Sequence, residues 1–280
     1  MQIDWFTSVD GAMQRFEELR GQAQIAQETA YREKKMRGWC PACRRETNMH
    51  LVEAPDGGWT NLREALFCEC GLNSRMRMIM GVVEKYPPTE RFLMFERVTP
   101  LFGRMQERYP FVEGCEYFGD DVQPGEIRQA HGIDVRHENM LELSYPARTF
   151  RYVFHGDVLE HVPDMQVALR ECYRVLEPGG TLLFTCPVFN FRKHNVRAVV
   201  EGGTLRHIQE PAYHGNPMDP NGALVFAEPG LELLDDLRRA GFATAELGLA
   251  FNPAQGILRD GNPYDDYNMW PIIFKATRRP

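Results

Sequence analysis

The chain has 280 residues, 43% hydrophobic and 25% charged, and 32 Lys+Arg against 39 Asp+Glu leave a net charge of −7. These totals exclude a disordered chain, a collagen-like chain and a basic nucleic-acid-coating protein. A chain of this length makes one or two domains and can bury a core without disulfides. The first 80 residues balance 11 acidic against 11 basic, so the whole −7 falls on the rest, which suggests two regions with different jobs.

No stretch approaches the roughly 18–20 apolar residues of a membrane helix. Met1–Trp5 is not a basic segment leading into an apolar one, so a secretory signal is not expected. Seven cysteines, an odd number, fit a reducing compartment better than a disulfide framework. The expectation is a cytoplasmic protein with no membrane association and a poor fit to nucleic acid.

In chain order, Ser8 and Asp10 open a helix that carries Met13, Phe16 and Leu19 at helical spacing and runs to about Met36, with a break expected near Gly21. It reads as a packing helix or a homodimer contact. A cysteine-bearing module follows, from Gly38 to about Met80. From Arg91 short apolar runs alternate with amphipathic stretches: Arg91–Glu96, Val112–Phe118, Ile133–His137 and Phe150–His155 as strands, Val167–Leu176 as helix, Thr181–Cys186 as strand. Leu231–Ala240 reads as a helix, and Thr244–Leu249 and Pro271–Thr277 as closing strands around the loop Phe251–Trp270. Alternating β and α elements argue for an α/β fold, a doubly wound and mostly parallel sheet with helices on both faces. The expected organisation is an N-terminal helix over 1–37, a zinc-ribbon-like module over 38–85 and a sheet domain over 86–280.

Cys40-Pro41-Ala42-Cys43 and Cys68-Glu69-Cys70 present two close thiol pairs. Two short turns that each aim two sulfurs at one point suit a tetrahedral structural zinc, which also lets a small module fold with little core. The second pair has one intervening residue where two are usual, so reduced thiols without metal and redox chemistry stay open, as does His50 in place of one cysteine. Cys115, Cys172 and Cys186 lie on apolar elements and read as small buried hydrophobes.

The strongest signal is His155-Gly156-Asp157-Val158-Leu159-Glu160-His161-Val162-Pro163-Asp164, followed by Arg174-Val175-Leu176-Glu177-Pro178-Gly179-Gly180 and the run Thr181–Pro187. Asp164 can cap the intervening helix, and Pro178-Gly179-Gly180 stops it and turns the chain into a strand. The Asp157–Pro163 loop then sits at the carboxyl end of a central strand, where open α/β sheets bind ligands. This stretch resembles the class I S-adenosylmethionine-dependent methyltransferases, closely over 149–187 and more weakly over 91–280. The resemblance implies a seven-stranded Rossmann-like sheet ending in a reversed strand pair, and S-adenosylmethionine as cofactor.

Residue by residue, the resemblance implies an acidic position after the first strand at Glu96, ribose hydroxyls held by Glu116, an adenine amino group met by Asn139 or by the adjacent Glu138, and a cofactor turn at Asp157 and Val158. Tyr117 and Phe118 are candidates to stack on adenine. The family's glycine-rich turn is missing, because Arg97-Val98-Thr99-Pro100-Leu101-Phe102-Gly103 holds one glycine. An altered loop is expected, with Thr99 and Arg97 toward the methionine carboxylate. The alternatives are a site ordered by substrate, or a scaffold that has lost the cofactor.

Methyl transfer to a hydroxyl or carboxylate calls for a general base, and His161 on the Asp157 loop is one candidate. Arg206 to Pro217 falls where this fold inserts a substrate-covering segment, and there Tyr213 and His214 can orient an acceptor while Arg206 can pair with an anion. Phe191–Asn195 reads as an anion-binding patch or a solvated face. The function expected is methyl transfer to a small-molecule or carbohydrate-type acceptor. A non-catalytic binding protein and an RNA methyltransferase gripping through Arg44, Arg45, Arg63, Arg75 and Arg77 are the rivals.

Overall fold

Phe92–Met94, Phe150–Gly156 and Leu176–Thr185 are close to continuous apolar runs, as strands buried on both faces must be. They form the centre of the sheet in a computed structural model that describes residues 1–54, 60–189, 192–261 and 268–280. The chain divides into two compact units, Met1–Pro87 with Leu247–Ile273, and Pro88–Glu246 with Phe274–Pro280. The segment Leu247–Ile273, expected with the sheet domain, is thus grouped with the N-terminal residues.

In the second unit the sheet order is 244–246, 274–277, Leu176–Thr185, Phe150–Gly156, Phe92–Met94, Val112–Glu116, Ile133–His137, Ile127–Ala130 among the described residues. The central pairs are parallel, with Met94 opposite both Gly114 and Phe154. The closing strand is antiparallel, pairing Phe184 with Phe274 and Thr181 with Thr277. The seven expected strands are all present, and Ile127–Ala130 adds an antiparallel edge that the alternation did not signal. From Phe92–Met94 the chain winds outward one way and returns to Phe150–Gly156 on the other side. That reversal opens a crevice at the carboxyl ends of these two strands.

Helix Met165–Val175 starts where Asp164 accepts the Val167 N–H at 3.0 Å, and it buries Ala168, Leu169, Cys172 and Val175 on one stripe. Gly179, at φ +70°, turns the chain into the strand that follows. The apolar positions of Cys115, Cys172 and Cys186 are all buried. Between Asn195 and Glu228 the inserted segment forms two antiparallel hairpins enclosed by one short outer strand pair, and the longer hairpin pairs Tyr213–Asn216 with Asp219–Leu224.

In the first unit Ser8 caps one unbroken 25-residue helix, Val9–Glu33, which buries Ala12, Phe16, Ala23 and Ala30. The break expected at Gly21 is absent. A mid-helix glycine costs about 1 kcal/mol, less than that buried stripe returns. Lys35–Cys40, Arg45–Leu51 and Leu66–Cys68 form a three-stranded antiparallel sheet, and Asn73 caps the helix Ser74–Lys85. Phe16 stacks on Trp270 at 5.0 Å, and Asp260 accepts from the Tyr31 hydroxyl at 3.0 Å and the Leu62 N–H at 3.2 Å. Asp4–Phe6 pairs antiparallel with Leu247–Leu249.

Candidate functional site

The glycine-poor loop after Phe92–Met94 closes on the neighbouring strand. Glu116, at the end of Val112–Glu116, accepts the N–H groups of Arg97 and Val98 at 2.7 and 3.0 Å, both on Oε1. Among the described residues its Oε2 accepts no hydrogen bond. Burial raises the Glu116 pKa, opposed by those two N–H groups. Thr99 donates its hydroxyl to Glu96 at 2.6 Å, and the same oxygen accepts from Phe102 N at 3.2 Å, capping the helix Pro100–Arg108. The Arg97 guanidinium lies 4.6 Å over the Phe102 ring. Thr99 and Arg97, expected to reach a cofactor carboxylate, are therefore held within the loop. Gly114 permits this closure. A Cβ there would come within 2.4 Å of the Phe102 ring and 2.7 Å of the Glu96 carbonyl oxygen.

Beside this loop, Tyr117 is half exposed, and its hydroxyl donates to Asp120. Its ring lies 5.5 Å from that of His137, whose Nδ1 accepts the Phe118 N–H at 3.0 Å. Asn139 accepts the Leu141 N–H through its side chain at 2.9 Å. Glu138, the substitute considered for it, is buried and tied to Arg136 at 2.6 Å and to the Ser144 N–H at 2.8 Å.

The turn after Phe150–Gly156 is strained, with Asp157 at φ +55°. Its carboxylate accepts from the Thr185 hydroxyl at 2.9 Å. Val158 leads into the short helix Leu159–His161. Nδ1 of His161 bonds the Leu224 carbonyl at 2.9 Å, and the Phe226 N–H reaches the Glu160 carbonyl at 2.8 Å, so the hairpin insertion is tied to this turn. That tie brings His214 to His161, with ring centroids 5.1 Å apart. Tyr213, the neighbour of His214, is 57% exposed. Two groups here escaped the sequence reading. Glu160 is wholly buried beside both histidines, and its only sequence signal was its place in the motif. His155, also wholly buried, stacks on Phe184 at 4.6 Å, and burial pulls its pKa down to about 3.

Other candidates are structural. Arg206 pairs with Glu201 on an exposed hairpin. His194 accepts the Gly230 N–H at 2.9 Å and donates to Asp236 at 2.6 Å, which makes it an internal strut rather than an anion reader. Phe191 lies outside the described residues, as do 262–267 of the loop Phe251–Trp270.

The four cysteines of the first module converge. Cys40 and Cys70 place their sulfurs 4.0 Å apart, Cys43 and Cys68 3.6 Å apart, and all four lie within 4.8 Å of one another. A tetrahedral zinc with Zn–S bonds of about 2.3 Å needs S···S separations of about 3.8 Å. The sulfur shared with Cys40 draws Cys70 down to about 5, while burial pushes Cys43 up to about 11. Arg77 is fully buried, and its guanidinium bonds the Leu66 and Gly256 carbonyls at 3.2 and 2.9 Å. The thiolates' field opposes the fall that burial imposes on the Arg77 pKa, and its positive charge compensates a thiolate cluster. His50 is exposed and outside the cluster. Of the arginines offered as an RNA grip, Arg44, Arg45, Arg63 and Arg75 pair with carboxylates and Arg77 is buried.

Residues 102–184 match the family of methyltransferase domains. A demethylmenaquinone methyltransferase of Listeria welshimeri is 48% identical over 75 residues, 25% of this chain and 32% of that protein. A probable S-adenosylmethionine-dependent methyltransferase of Mycolicibacterium smegmatis is 35% identical over 77 residues, 27% of this chain and 29% of that protein. The chain thus spans about a third of the length of these relatives. A solved S-adenosylmethionine-dependent methyltransferase from Mesorhizobium loti aligns with 72% of this chain and 98% of its own, at 16% identity and a TM-score of 0.44.

Proposed function

We propose that this chain, whose residues 102–184 match the methyltransferase-domain family, is a class I S-adenosylmethionine-dependent enzyme that transfers a methyl group to a small-molecule or carbohydrate-type acceptor. The observation that carries the proposal is that Glu116 and the Asp157 turn stand at the carboxyl ends of the two strands that flank Phe92–Met94, in a sheet of this order. Glu116 keeps Oε2 toward a ribose while Oε1 fixes the loop. The Asp157 and Val158 turn and Asn139, which follows the strand Ile133–His137, would complete the candidate cofactor cradle. Bound S-adenosylmethionine supplies a methyl group on a sulfonium centre. The protein's part is to line up the acceptor and strip it of water, which the hairpin insertion over His161 is placed to do. His161 and His214 are the candidate bases or orienting groups, with Tyr213 beside them. The relatives' names include a small-molecule acceptor, demethylmenaquinone, which supports the small-acceptor class.

Cys40, Cys43, Cys68 and Cys70 would hold one structural zinc, closed to substrate because all four positions are filled by sulfur. Calorimetry tests the cofactor reading. S-adenosylmethionine and its demethylated product should each bind folded, zinc-replete protein below millimolar concentration, and Glu116→Ala should weaken both at least tenfold. No heat at millimolar donor retires the reading. The rival, a methyltransferase-like binding protein, draws on the loop groups already spent at Thr99 and Glu116 Oε1. Folded, zinc-replete protein that binds no donor favours it.

A further inference from the structure

We infer that Glu160, His161 and His214 form a second metal site, for a divalent transition ion bound by one carboxylate and two imidazoles. The inference goes beyond the methyltransferase reading and does not depend on it. Glu160 is the starting point. Its side chain has no exposure, and among the described residues neither carboxylate oxygen has a hydrogen-bond partner. Buried carboxylates are ordinarily paired, hydrogen-bonded or bound to a metal, and among the described residues Glu160 has the first two of these only if the facing imidazoles supply them.

Two imidazoles face it. His161 Nε2 and His214 Nδ1 each lie 3.7 Å from Glu160 Oε1, and the three ligand atoms fall within 4.8 Å of one another. That distance is too long for hydrogen bonds. It is close to the spacing of about 3.0–3.6 Å that bonds of about 2.0–2.2 Å to a common ion impose. The tautomer agrees. The Leu224 carbonyl can only accept, so the Nδ1 of His161 that meets it at 2.9 Å carries the proton. In the neutral ring this leaves the Nε2 lone pair on the Glu160 side. An imidazole that ligates a metal typically donates its other N–H to just such a carbonyl.

Two imidazoles and one carboxylate suit Fe²⁺, Mn²⁺ or Zn²⁺ and leave coordination positions open. The open side is reachable, because the His214 side chain is 41% exposed. The site therefore differs in kind from the cysteine cluster, which closes its ion. Its free positions take oxygen donors, water or an acceptor's hydroxyl or carboxylate. The hairpin Tyr213–Asn216 with Asp219–Leu224 brings one ligand and the second-ring carbonyl together, so ion binding and the closure of this hairpin are one event.

The test uses the full chain with zinc already loaded on its cysteines and no methyl donor present. Mn²⁺ is titrated by the loss of its free-ion magnetic resonance signal, and Zn²⁺ by calorimetry. The expected result is one further ion per chain, of either metal, with affinity at least tenfold weaker in Glu160→Gln and in His214→Ala. Zinc retention at the cysteines and the far-ultraviolet circular dichroism report that each variant folds. Tyr213→Phe, beside the cluster but not in it, should bind as the parent does. If the folded parent takes up neither ion at millimolar concentration, the site is overturned. Uptake unchanged in both Glu160→Gln and His214→Ala overturns it equally. The donor is absent throughout, so neither outcome bears on cofactor binding.

Discussion

At the carboxyl end of the sheet two neighbouring turns treat their polar groups in opposite ways. After Phe92–Met94 the loop is gathered by local bonds: Glu116 Oε1 accepts two backbone N–H groups, and Thr99 bonds Glu96 and the helix it caps. After Phe150–Gly156 two buried groups, His155 and Glu160, have no hydrogen-bond partner among the described residues. The first turn is held by its own bonds, whereas the second leaves buried polar atoms without hydrogen bonds among the described residues. A buried polar group without a partner costs about 1–3 kcal/mol, so its persistence marks a functional position better than any satisfied one. The cysteine cluster is a third arrangement, in which four converging sulfurs would be completed by one ion.

That contrast can be broken in order of expected effect. Stripping zinc with a strong chelator should unfold the Lys35–Cys70 module, because metal binding there supplies folding free energy of about 10 kcal/mol. Circular dichroism and metal analysis on one sample report it, and a fully folded metal-free protein would place the cysteines with ordinary buried thiols. Next, Glu116→Ala should cost about 2 kcal/mol in denaturant unfolding, because two loop N–H groups lose a charged acceptor. Glu116→Gln keeps an acceptor oxygen and should recover most of that loss.

The His155 pKa of about 3, against the ordinary 6.5, gives a pH signature. The unfolded chain takes up a proton below about pH 6.5 and the folded protein refuses it until about pH 3. This site's stability is therefore complete at neutral pH and falls as the pH drops, by about 2 kcal/mol at pH 5. His155→Phe should flatten that slope, as read from melting curves at pH 5 and 7.5. In metal-free protein Glu160→Gln should raise stability by about 1 kcal/mol, since an amide is cheaper to bury than a carboxylate. The smallest effect is expected at Arg206→Ala. Its exposed pair with Glu201 is far from the spent and unspent groups alike, so neither melting temperature nor turnover should move.

Much of the fold was legible because local chemistry and global packing agree. Asp164, Asn73, Ser8 and Thr99 each cap a helix, although only Ser8 and Asp164 were read in advance. The seven sheet strands announced themselves by apolar runs between turn residues. The paired cysteines converged as their spacing required. What escaped depended on partners far along the chain. His214 meets His161 only because the insertion folds as hairpins, and their exposed residues, such as Leu205 and Tyr213, carry no core-facing alternation to signal strands. Glu160 sat inside a recognised motif, yet its burial is set by the turn and not by its neighbours in sequence. The fate of Thr99 and Arg97 was hidden for a similar reason. A missing glycine shows in the sequence, but the carboxylate that gathers the loop in its place lies on the next strand.

The first unit is sewn from two ends of the chain. Phe16 rests on Trp270, Tyr31 and Leu62 reach Asp260, and Gln27 bonds Gly261 at 2.9 Å. At a synthesis rate of about 5–20 residues per second, the residues between Pro87 and Leu247 take roughly ten to thirty seconds to emerge. Throughout that interval the long N-terminal helix waits with an uncovered apolar seam, while the four thiols of the same unit would already be able to capture an ion. Early metallation would then act as a placeholder on the ribosome, keeping the unfinished half in order until its late-arriving cover is made.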